Sequence, residues 1–97
     1  MEKLGRVVLG RYIAADPKIC HGQLTFRGTR IFVESVLNQV AQGMAWESIV
    51  EEWGGAVSEA AIEEAVRLAT EALFTYKDDL VREVARRDEM VEAVPPG

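Results

Sequence analysis

Cys20 and His21 stand side by side, and Arg27-Gly28-Thr29-Arg30 follows shortly after them. A thiol beside an imidazole is the raw material of a nucleophile–base pair or of half a zinc site. Structural zinc, however, takes four ligands, mostly Cys or His, and this chain has one of each. Neighbouring residues also rarely bring both side chains to one substrate. Cys20 therefore reads as a small buried thiol and His21 as a turn histidine. Gly22 and Gly28 make no phosphate loop, because no Gly-Lys-Ser/Thr ending follows and no dinucleotide fingerprint is present. The acid pairs Glu51-Glu52, Glu63-Glu64 and Asp78-Asp79 fall among polar helical positions and read as solvated faces. No catalytic set, metal site or cofactor is expected, and the chain reads as a non-enzyme.

The arginines are the better lead. Arg27 and Arg30 flank a Gly-Thr turn, which presents guanidinium groups suited to bidentate contact with carboxylates. Their setting is informative. Net charge is −5, yet residues 1–33 carry six basic residues against two acids, a balance of +4, while residues 34–97 carry five against fourteen, a balance of −9. A partner drawn by opposite charge would meet the N-terminal third.

The elements that position these groups follow from the pattern. At 97 residues the chain is expected to form one domain over 1–97. Tyr12-Ile13-Ala14 and Leu24-Thr25-Phe26, punctuated by Asp16-Pro17, Gly22 and Gly28, place short strands and turns over 6–32. Val33, Val36, Leu37 and Val40 form one helical face that Gly43 stops. Trp46, Ile49, Val50 and Trp53 repeat the spacing up to Gly54-Gly55, and helical spacing makes core packing the first explanation of both tryptophans. Ser58 is placed to cap a third helix, with Glu59 in its first turn and Ile62, Ala65, Val66, Ala69 and Leu73 inside. Tyr76, Leu80, Val84 and Val91 continue the side of Ile62, with no Gly or Pro before Pro95. The economical expectation is one long helix, or two nearly collinear ones, from Ser58 to Val91, and the alternative is a break near Thr75.

The expected fold is thus mainly α: short N-terminal strands, a three-helix, helix-turn-helix-like core over 33–73, and a helical extension over 74–93. Such an extension carries Tyr76, Leu80, Val84 and Val91 as an apolar stripe, which a second copy in a homodimer would cover. Val7 to Leu9 are the only apolar run near the start, too short for a signal peptide or a membrane span. A cytoplasmic protein without membrane contact is expected, and the lone cysteine agrees with a reducing compartment.

From Ile13 to Leu73 the chain resembles a prokaryotic family catalogued as domain of unknown function 433 (DUF433). Asp16-Pro17-Lys18-Ile19, Gly22, and Arg27-Gly28-Thr29-Arg30-Ile31 with Val33 carry the likeness, ahead of a helix ending at Gly43, a short second helix, and a third opening near Ser58. The resemblance implies a homeodomain-like or winged-helix-like fold and an antitoxin-type partner of PIN-like ribonuclease toxins. The active site of such a toxin is a carboxylate cluster, which an inserted arginine would suit. The chain departs from the pattern at Leu24, where proline is common, at Ala45, where Ser or Thr would cap the second helix, and in its length beyond Leu73.

Three functions follow as expectations. The first is a protein-binding module of antitoxin type that uses Arg27, Gly28, Thr29 and Arg30. The second is a helix-turn-helix DNA-binding protein, disfavoured because helix 58–73 carries four glutamates against Arg67 and would repel phosphate. The third is an orphan dimeric scaffold.

Overall fold

The computed structural model describes residues 5–90, with side chains through Arg87. The chain is mainly helical, with a small antiparallel sheet at the N-terminus. It divides into two compact units, one ending at Arg67 and the other beginning at Leu68.

In the first unit, strands β1 (Val7–Val8), β2 (Ile13–Ala15) and β3 (Leu24–Phe26) form an antiparallel sheet in sequence order. Val8 pairs with Ala14, and Ile13 pairs with Phe26. Three helices follow: α1 (Val33–Ala41), α2 (Trp46–Glu52) and α3 (Glu59–Thr75), the last running on into the second unit. Ile13, Phe26, Val36, Ile49, Val57 and Ile62 are almost wholly buried and form the centre of the core. The apolar faces read from the spacing of α1, α2 and the first half of α3 thus point into one interior. Both tryptophans are half-buried, and the Trp53 indole N–H donates to Gln39 Oε1 at 2.8 Å, tying α2 to α1.

Local signals set the helix ends. After α1, Gly43 at φ +86° donates its N–H to Val40, and Met44 donates to Gln39. After α2, Gly54 and Gly55 repeat the arrangement toward Glu51 and Val50. These are two Schellman closures, each with a glycine in the left-handed region where a side chain would be strained. Ser58 caps α3: its Oγ accepts the Ala61 N–H at 3.1 Å. Ala45, at the start of α2, supplies no such bond, as its side chain dictates.

The second unit holds the rest of α3 and a fourth helix, α4 (Lys77–Met90). The expected continuous helix is divided at Tyr76, in keeping with the alternative break near Thr75. Backbone bonds still flank the division, from Tyr76 N–H to Ala72 and from Leu80 N–H to Tyr76, both at 3.0 Å. Among the described residues no helix is long and apolar enough to cross a membrane.

Candidate functional site

The turn between β1 and β2 is held from a distance. Glu64, on α3, accepts the backbone N–H of Arg11 at 2.7 Å through Oε2 and that of Tyr12 at 2.6 Å through Oε1. A Cβ at Gly10 would overlap this carboxylate, so the turn passes close only because residue 10 lacks a side chain. Glu63 and Glu64, read together as a solvated face, have different fates. Glu63 pairs at the surface with Arg67. Glu64 is half-buried and acts as a strut, because both its oxygens satisfy backbone donors.

The Arg27-Gly28-Thr29-Arg30 turn is built on this strut. The Arg27 N–H donates to the Tyr12 carbonyl at 2.8 Å, and Arg27 Nη1 donates to the Arg11 carbonyl at 2.9 Å. Gly28 takes φ +80°, and the Thr29 N–H closes the turn onto Phe26. Such a turn favours glycine at its third position. Thr29 is spent on structure: its hydroxyl donates to the Phe26 carbonyl at 2.8 Å and accepts the Ile31 N–H at 2.9 Å. Arg30 is exposed, and its guanidinium bonds to no other described residue. Of the four residues expected to bind a partner, Arg27 and Arg30 therefore offer side chains, while Gly28 and Thr29 shape the turn that carries them.

Beside this turn opens a cleft of about 450 Å³, bordered by Arg6, Arg11, Tyr12, Arg27, Gly28 and Ser58. No carboxylate of the described residues lines it. Charge pairing across the chain explains the contrast. The ion pairs among the described residues are Glu63–Arg67, Asp78–Lys77, Asp79–Arg82 and Glu83–Arg86, all at or beyond position 63. The charged side chains of Arg6, Arg11, Lys18, Arg27 and Arg30 form no ion pair with a carboxylate of the described residues. Arg6 and Arg11 belong to the basic balance of the N-terminal third, and no local signal in the sequence joins them to Arg27. The strut that holds Arg11 there joins positions more than fifty residues apart.

A family model described as a protein of unknown function (DUF433) matches residues 13–69. The chain belongs to the DUF433 family. No curated protein and no solved structure matches it significantly. The matched span of DUF433 holds the Arg27–Arg30 turn, Ser58 and Glu64. Arg6, Arg11 and Tyr12 lie before it, so the cleft joins the family's span to residues outside it.

Two further groups singled out in the sequence are the Cys20-His21 pair and the apolar stripe of the second unit. Cys20 is a half-buried free thiol rather than a buried one, its Sγ 3.9 Å from the Arg30 carbonyl, and His21 is exposed. Both take positive φ, 52° and 59°, an uncommon pairing for residues that carry a Cβ. In the second unit Tyr76, Leu80 and Val84 are exposed, together with Leu73, Phe74 and Val81. Val91, the fourth residue of the expected stripe, lies outside the described residues.

Proposed function

We propose that this DUF433 protein is a non-enzymatic binding module, an antitoxin-type partner of a PIN-like ribonuclease, which engages an acidic protein surface through its N-terminal arginines. One observation carries this reading. The cationic side chains of residues 6–30 form no ion pair among the described residues, while Glu63 of α3 and Asp78, Asp79 and Glu83 of α4 pair locally. Unpaired guanidiniums on a rigid turn are suited to a carboxylate-rich surface, where arginine binds bidentately. Helices α1 to α3 serve as a homeodomain-like, helix-turn-helix-like scaffold for that face.

DNA is the less favoured partner. α3 carries Glu59, Glu63, Glu64 and Glu71 against Arg67, so a recognition helix in its place would meet phosphates with net negative charge. The protein is further proposed to act in the cytoplasm as a homodimer, a second copy covering Leu80 and Val84 of α4. Co-purification with the product of the neighbouring gene tests the partner. Recovery that depends on Arg27 and Arg30 supports the reading, and recovery indifferent to them, or tight sequence-specific DNA binding instead, overturns it.

A further inference from the structure

We infer that the cleft between Arg6, Arg11 and Arg27 is an oxyanion site for a small organic phosphomonoester. Three arginines, Arg6 and Arg11 from the first hairpin and Arg27 from the turn after β3, border one opening without a lining carboxylate of the described residues. Arg27 Nη1 is fastened to the Arg11 carbonyl, and the Arg11 backbone is fastened to Glu64, so two of the three cations are anchored to one short stretch of chain. Like charges gathered this way repel one another, and a bound anion offsets that repulsion. Glu64, the carboxylate that reaches this stretch, turns its oxygens to backbone N–H groups and forms no ion pair with the three arginines, so one negative charge stands near three positive ones.

The ligand class follows from charge and size. One carboxylate is satisfied by one bidentate arginine, whereas a phosphomonoester carries close to two charges and three acceptor oxygens. Gly55, Ala56 and Ser58 lead the N-terminus of α3 into the same wall, whose dipole adds to the attraction. Tyr12, half-buried at the edge of the cleft, supplies an aromatic side for an organic group. A volume near 450 Å³ fits a small molecule. A nucleic-acid strand is the poorer occupant, because the net charge of −5 repels a polyanion beyond the cleft itself.

The site shares Arg27 with the proposed protein interface, and Arg30, which does not line the cleft, distinguishes the two. Inorganic phosphate, phenyl phosphate and a short oligonucleotide without terminal phosphate are titrated into the full chain at constant ionic strength, followed by amide NMR shifts. Saturable phenyl phosphate binding is expected, tighter than that of the oligonucleotide. Arg6→Gln and Arg11→Gln should each weaken it about tenfold, about the worth of one charged hydrogen bond, while Arg30→Gln changes it less than about twofold. All three replaced residues are exposed, and unchanged unfolding midpoints confirm intact folds. No saturable binding below ~10 mM, where a site would be worth less than about 3 kcal/mol, overturns the inference. So does equal weakening by Arg30→Gln, or tighter oligonucleotide binding. These failures are distinguishable from failure of the protein-partner reading, which is tested by partner recovery and turns on Arg30, outside the cleft, as well as on Arg27.

Discussion

Glu64 and Gly10 share one small volume: the carboxylate that accepts the N–H groups of Arg11 and Tyr12 lies where a Cβ on residue 10 would have to sit. The absence of a side chain at one position therefore permits a tie between the first hairpin and α3. The same tie fixes Arg11 and, through its carbonyl, Arg27. A stability feature and the arrangement of the basic face are thus one piece of structure.

Glu64→Ala should lower stability by about 1–3 kcal/mol, because two backbone donors lose their acceptor. Glu64→Gln, which keeps one acceptor oxygen, should fall between. Gly10→Ala should cost a similar amount in the wild type and much less once Glu64 is Ala, since the overlap is then gone. Urea unfolding of the four members of this double-mutant cycle measures the coupling. Additive losses would show that the two residues act independently.

Gly43→Ala and Gly54→Ala should each cost about 1 kcal/mol in the same assay, the penalty for a Cβ in the left-handed region. Each residue closes a helix at positive φ, and a Cβ there meets no atom within 4 Å, so strain rather than crowding sets the loss. A neutral outcome would mean the Schellman closures are not formed.

These two groups of residues mark the limit of what was legible in the sequence. Gly43, Gly54-Gly55 and Ser58 act within a turn of where they stand, so composition and spacing reveal them. Val36, Ile49 and Ile62 show themselves through helical periodicity for the same reason. Glu64 does not, because its partners lie 52 and 53 residues away and an acid next to Glu63 reads as solvated surface. The division at Tyr76 leaves no Gly or Pro behind, and the apolar spacing runs straight across it. Thr29 looked like part of a binding motif, yet its hydroxyl serves the turn, a use that only the positions of Phe26 and Ile31 disclose.

The exposed side chains of α4 lead to a prediction about assembly. Leu80 and Val84 lie four residues apart on one face, and both are exposed. The wild-type chain should sediment at equilibrium as a dimer, and Leu80→Lys with Val84→Lys should shift it to monomer while the helical circular dichroism signal is kept. A monomeric wild type, or a double variant that still dimerises, would remove this surface from the account.

The claim that matters most is that the arginine turn receives a protein partner. Tagged protein expressed from its native operon, as wild type and as the Arg27→Ala, Arg30→Ala double variant, gives the direct measurement: the yield of the co-purified neighbouring protein beside the unfolding midpoint of each version. The neighbour should be recovered with the wild type, recovery should fall about tenfold or more with the variant, as loss of two charged contacts implies, and the midpoints should agree closely. Equal recovery of the neighbour with both versions, or a variant that loses most of its stability while partner binding persists, would contradict the claim.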